Sequence, residues 1–147
     1  MAERKATAEW NGSLKEGTGK VRLGSGAFEG SFTFGTRMGD DPGTNPEELV
    51  GAALAGCYSM ALNATLEKEG KPARSVKTEA KVHFGKVDAG FKISRIDLAV
   101  DAIVDGIDEA EFKRIAETVK QTCPVSQALS AVPIELEANL SRSQAAG

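Results

Sequence analysis

Cys57 and Cys123 are the two side chains of this sequence able to act as strong nucleophiles and, together, to store two electrons in a reversible disulfide. Cys57 sits in Ala55-Gly56-Cys57-Tyr58-Ser59, inside a strongly apolar run. The plain alternative is a core cysteine behaving as a small hydrophobe, because free cysteine is among the most buried residue types. Gly56 points the other way: glycine inside a helix costs about 1 kcal/mol against alanine, and small neighbours leave an approach route for a ligand or another backbone. In apolar surroundings a thiol is pushed toward its neutral, inert form, so a reactive Cys57 needs a cation beside it. The helix dipole cannot serve, since it fades within the first turn and Cys57 lies about three turns in. Arg22, Arg37, Arg74, Arg95 and Arg114 are the candidates, and the residues by themselves do not choose among them.

Cys123 precedes Pro124, which places its thiol at the N-cap of a following helix with proline at the first helical position, a setting that favours thiolate. The plain alternative here is a helix-breaking junction that happens to carry a cysteine. A bond between the two sulfurs would join two helices in space, and that distance is not readable from sequence.

Several elements must position these residues. Glycines 12, 17, 19, 24, 26, 30 and 35 punctuate short segments such as Lys20–Leu23 and Ser31–Thr36, which suggests short strands and turns. The Met38–Asn45 loop leads to a helix start at Asn45-Pro46-Glu47-Glu48, with an N-cap, a first-turn proline and acidic residues at the positive end of the dipole. The helix that follows is apolar nearly all round to Leu66, so it is expected to be buried on most sides. Gly70-Lys71-Pro72 ends it. Val76, Thr78, Ala80, Val82 and Phe84 then alternate with polar residues. A turn at Asp88-Ala89-Gly90 leads into Phe91, Ile93, Ile96, Leu98, Val100, Ala102 and Val104, with one phase slip near Ser94 and Arg95 that predicts a bulge. A second amphipathic helix is expected over about Asp108–Thr122, a short one over Val125–Ser130, and a final strand through Ile134, Leu136, Ala138 and Leu140. This is an α+β domain covering 1–147, with largely antiparallel strands around a long central apolar helix and a frayed tail over 141–147.

Composition narrows the function classes. At 147 residues and 41% hydrophobic content the chain fits one domain burying roughly two-thirds of its unfolded surface. A net charge of -3 with scattered Lys and Arg gives no footprint for nucleic acid. No signal sequence is evident, and no stretch is read as approaching the ~18 apolar residues of a membrane span, so the cytoplasm is expected, with no membrane partner. In that reducing compartment disulfides tend to be transient and catalytic or redox-sensing. The single His83 falls on the polar alternation of its strand and reads as a surface residue. One histidine and two cysteines cannot complete a tetrahedral zinc site without carboxylates or a second subunit. Neither GxGxxG nor GxxxxGK precedes a helix, so no nucleotide cofactor is expected.

The runs Gly43-Thr44-Asn45-Pro46-Glu47-Glu48-Leu49, Gly51-Ala52-Ala53 and Ala55-Gly56-Cys57-Tyr58-Ser59-Met60-Ala61-Leu62 resemble the central-helix motif of the OsmC/Ohr superfamily, the osmotically inducible C and organic hydroperoxide resistance proteins. So do Lys86-Val87-Asp88-Ala89-Gly90-Phe91 and Cys123-Pro124-Val125-Ser126-Gln127. The resemblance covers about residues 5–140. It implies an intertwined homodimer with active sites at the interface, reducing organic hydroperoxides and, less efficiently, hydrogen peroxide. By the same resemblance Cys57 is the peroxidatic cysteine and Cys123 the resolving one. Arg37 is the arginine that lowers the Cys57 pKa, and Glu47 the carboxylate that holds Arg37. No cofactor or metal is implied, and the reductant is a dithiol for which the family suggests a lipoylated protein. Glu48 stands where the Ohr branch usually has glutamine, and Arg37 sits in an OsmC-like context, which favours the OsmC branch. Ten helical residues put Glu47 about 15 Å along the axis from Cys57. Either the first turn leaves the helix, or Glu47 steers an arginine across the gap, or it acts on the partner subunit's site. The rival functions are a redox sensor and a noncatalytic small-ligand-binding member of the same fold.

Overall fold

The computed structural model describes residues 2–141, which form two compact units divided between Leu49 and Val50. In the first, β1 (Ala6–Asn11), β2 (Thr18–Leu23) and β3 (Glu29–Phe32) make an antiparallel sheet in chain order. Gly19 on the middle strand pairs with Trp10 on one side and Phe32 on the other. The two rings close over it at 5.5 Å between centroids, and any Cβ at Gly19 would strike both. That aromatic pair is what a three-stranded sheet of largely exposed, polar residues has for packing.

The segment expected as a strand over Ser31–Thr36 continues as strand only to Phe32; Phe34–Met38 is a short helix, α1. The cause is a reciprocal cap. Thr36 N donates to Thr33 Oγ1 at 3.1 Å and Thr33 N donates to Thr36 Oγ1 at 2.8 Å, which meets two end-of-helix donors at once.

Helix α2 (Pro46–Lys68) begins as its residues require, with Asn45 Oδ1 accepting from Glu48 N at 2.8 Å. The second unit then builds a long antiparallel hairpin, β4 (Ala73–Val87) and β5 (Gly90–Val104), to which β6 (Ile134–Ser141) adds beside β5 in parallel. His83 pairs Arg95 and Phe84 pairs Ile93, so Ser94 is the bulged residue at the expected phase slip. Between the strands run α3 (Glu109–Thr122) and α4 (Pro124–Ala128). The core is one cluster: Ile96, Leu98, Val100, Ala102 and Val104 of β5, Phe112, Ile115, Ala116 and Val119 of α3, and Leu54, Tyr58, Leu62 and Leu66 of α2.

Three expectations need correction. Ser141 is not frayed; it pairs Ile103 at the end of β6, and 142–147 lie outside the described residues. A segment long and apolar enough to span a bilayer does exist, since α2 meets both criteria. Its Leu54, Tyr58, Leu62 and Leu66 are nonetheless core residues packed with β5 and α3. Nor is α2 buried on most sides: that one stripe is, while Ala52, Ala53, Gly56, Met60 and Ala64 are exposed, Met60 by 78%. Apolar periodicity reports where water is excluded, not which molecule excludes it.

Tyr58 ties α2 to α3 through a buried bond from its hydroxyl to Ala116 O at 2.8 Å. Burial, and next the charge of Glu117, push its phenol above its usual range, so it stays a donor. Tyr58→Phe is expected to cost about 1 kcal/mol of unfolding free energy in a urea titration with the fold retained.

Candidate active site

Cys123 interrupts two helices. Its amide still donates to Val119 O at 2.9 Å as the last link of α3, but its ψ of 125° turns the chain out of the helix, and Pro124 opens α4. Gln127 stabilises the junction, donating from Nε2 to Thr122 O at 2.8 Å, one of the carbonyls that the broken helix leaves over. The turn aims the Cys123 thiol, itself fully buried, at α2.

There it meets Cys57. The two Sγ atoms lie 3.0 Å apart and are hydrogen-bonded, with Cys57 partly buried against the core cluster. Closing that gap to a disulfide of about 2.05 Å takes a shift of about 1 Å, within what side-chain rotation supplies. At this distance the two thiols share their protons as a pair and do not titrate as independent groups. Burial and the neighbouring Cys123 thiol raise the Cys57 pKa. At Cys123 burial also raises the value, but the Cys57 thiol, the amides of Ser126 and Val125 and the Ser126 hydroxyl together outweigh it and lower the pKa. The surroundings of Cys123 thus favour its charged form while those of Cys57 oppose it, so ionising Cys57 calls for a cation from elsewhere.

Arg37 and Glu47 form a second cluster, within the first unit. Arg37 grips the carboxylate through Nε at 3.0 Å and 3.3 Å from its two oxygens and through Nη2 at 2.7 Å from Oε1. The Glu47 side chain is 8% exposed and that of Arg37 40%. A nearly buried carboxylate thus fixes the guanidinium through two of its nitrogens, a fork geometry that a lysine could not reproduce. The capping box of α1 and the Asn45 side chain, which donates to Thr36 O at 3.2 Å, bring these ends together. Thr44 Oγ1 donates to Glu48 Oε2 at 2.8 Å, so Glu48 serves the loop rather than the arginine.

Helix α2 is unbroken from Pro46, so the possibility that its first turn unwinds to carry Glu47 toward Cys57 is closed; the two remain about 15 Å apart along one axis. Gly56 has no atom within 4 Å of where a Cβ would stand, whereas Gly51 is the helix glycine under close approach, 3.3 Å from Val82 Cγ2. His83 lies on the surface, with Nε2 2.7 Å from Asp97 Oδ2 and 3.2 Å from Arg95 Nη2 across the hairpin. Tyr58 and Ser126, both buried, stand in the two cysteine motifs but carry no role among the sequence expectations. For Ser126 the signal was its spacing, three residues after an N-cap cysteine, where a capping-box partner sits.

Residues 39–137 match the model of the OsmC-like protein family. The chain is 45% identical over 129 residues to the peroxiredoxin OsmC of Escherichia coli, covering 87% of this chain and 90% of that one. It is also 33% identical over 87 residues to an organic hydroperoxide resistance protein of Xanthomonas axonopodis, covering 58% and 59%. Among solved structures, an organic hydroperoxide resistance protein from Elizabethkingia anophelis superimposes with a TM-score of 0.72 at 25% identity, over 97% of this chain and 98% of that one. With the family model over most of the sequence and OsmC-named relatives spanning nearly all of it, this chain belongs to the OsmC-like protein family.

Proposed function

We propose that this protein is a thiol-dependent peroxidase that reduces organic hydroperoxides, and more weakly hydrogen peroxide, through Cys57 and Cys123. The observation that carries the reading is the 3.0 Å approach of two free thiols, one in an apolar helix and one at a helix junction, in a chain whose relatives are named for peroxide chemistry. The Cys57 thiolate attacks the proton-bearing oxygen of ROOH; the O–O bond breaks, that oxygen keeps its proton and stays on the sulfur as a sulfenic acid, and RO⁻ leaves, taking a proton from solvent to become ROH. Cys123 then attacks the Cys57 sulfur, forming the disulfide and releasing water. An external dithiol, for which a lipoylated protein is the proposed physiological source, returns both thiols. Arg37, held by Glu47, is the proposed cation for the thiolate and for the charge that develops on the oxygens. The cytoplasm is the proposed compartment, because there a thiol pair can be re-reduced.

A homodimer is part of the proposal. The exposed stripe of Ala52, Ala53, Gly56, Met60 and Ala64 on α2 is apolar, and a second copy would cover it and remove water from the neighbourhood of Cys57. Wild type is expected to elute from a sizing column as a dimer and Met60→Glu as a monomer; an unchanged dimer would place the interface elsewhere.

The test of the function is peroxide consumption with dithiothreitol as reductant, comparing cumene hydroperoxide with hydrogen peroxide. Turnover of both, faster with the organic peroxide, is expected; no consumption of either leaves the thiol pair a sensor.

A further inference from the structure

The peroxidase reading uses two cysteines and an ion pair, but leaves one buried polar group unexplained. Ser126 is 5% exposed, and its Oγ is closed to solvent with no partner at ordinary hydrogen-bond geometry among the described residues. A buried hydroxyl without a partner is costly and uncommon, and where it occurs it calls for a reason. Position supplies one. Cys123 is the N-cap of α4 and Ser126 stands three residues on, the place from which a side chain reaches back toward the cap residue. The Cys123 sulfur, 3.0 Å from the Cys57 thiol, thus stands at the start of the turn that carries the Ser126 hydroxyl, and that hydroxyl and the Ser126 and Val125 amides all favour its charged form. A neutral thiol is a weak acceptor and leaves that hydroxyl poorly satisfied, whereas a thiolate is a strong one.

We propose that Ser126 is a positioning residue for the resolving step, donating its hydroxyl to Cys123 whenever that sulfur carries negative charge. The inference rests on the peroxidase reading for its purpose, because a thiolate is the form that attacks the Cys57 sulfenic acid. The hydroxyl makes this form available in a buried position where desolvation alone would suppress it. It also orients the sulfur toward Cys57 rather than into the core. The downward pull that the hydroxyl exerts on the Cys123 pKa agrees with this geometry.

The test isolates Cys123 in the Cys57→Ser background and follows its ionisation with pH by thiolate ultraviolet absorbance and by the rate of iodoacetamide alkylation. Adding Ser126→Ala is expected to raise the Cys123 titration midpoint by about one unit, roughly a tenfold loss of thiolate at a given pH below it, while Ser126→Thr, which keeps the hydroxyl, restores the parent curve. In protein with both cysteines, Ser126→Ala should slow disulfide formation after one equivalent of peroxide by roughly tenfold, and a sulfinic form of Cys57 should accumulate on mass spectrometry. Superimposable titrations for Ser126→Ala and its parent overturn the proposal. The titration needs no peroxide, so its outcome is separate from wild-type turnover, which decides the peroxidase reading.

Discussion

Cys57→Ser is expected to consume no cumene hydroperoxide above the uncatalysed background, a loss of at least about 10³-fold, which corresponds to about 4 kcal/mol of barrier. The size follows from the chemistry: an alcohol is a far weaker nucleophile than a thiolate, and the other thiol, Cys123, is fully buried and so shielded from the peroxide. Cys123→Ser separates the two halves of the cycle. It keeps the nucleophile, so it should react with one equivalent of peroxide at near the parent rate, then stall as a sulfenic acid and advance to the sulfinic state under excess peroxide. Stopped-flow peroxide loss with mass analysis of the product reads both outcomes. Full turnover by Cys57→Ser would remove the nucleophile from the proposal, and full turnover by Cys123→Ser would remove the disulfide.

The parts of the fold that were legible in the sequence are those in which one physical signal dominates. The hairpin showed itself by strict alternation, and even its bulge at Ser94 appeared as a slip in phase, because β5 turns one face to the core and cannot change register unnoticed. Asn45 announced its helix through its capping chemistry and α3 showed itself by its amphipathic period, at whose start Asp108 accepts from Glu111 N at 2.8 Å. Two elements were missed where signals competed. Ser31–Thr36 is rich in β-branched and aromatic residues, which argue for strand, but the Thr33–Thr36 cap decides in favour of α1 after Phe32. Ala6–Asn11 carries no core-facing alternation to mark it as strand, because β1 exposes most of its residues. That β6 runs parallel to β5 left no trace in a pattern that reports faces and not direction. At the site, Cys123 was readable from Pro124, but the choice of Arg37 among five arginines was not. Its grip on Glu47 depends on a loop that doubles the chain back between α1 and α2, and such closure has no local signature.

Arg37→Ala is expected to lower peroxidase activity at neutral pH by about 10²–10³-fold, as for loss of a preorganised charge at a reacting oxygen, and to do so in a pH-dependent way. A cation favours the thiolate, so the Cys57 pKa in wild type lies below its value in the variant. Activity of the variant should therefore be lowest on the acid side and recover as the pH rises toward the range of an unassisted thiol, which burial and Cys123 already push upward. Glu47→Gln should give a smaller loss with the same slope, since the guanidinium stays charged but loses the carboxylate that fixes it. Which subunit supplies the arginine can be decided with the same variant. Ten helical residues, about 15 Å of helix axis, separate Glu47 from Cys57 of the same chain, and in the proposed homodimer this separation favours service to the partner subunit's cysteine. Dimers re-formed from an equal mixture of Cys57→Ser and Arg37→Ala subunits, both inactive alone, should then regain about a quarter of wild-type activity, because half of the dimers are mixed and each contains one complete site. If arginine and cysteine of the same subunit work together, no mixed dimer contains a complete site and the mixture stays as inactive as its components.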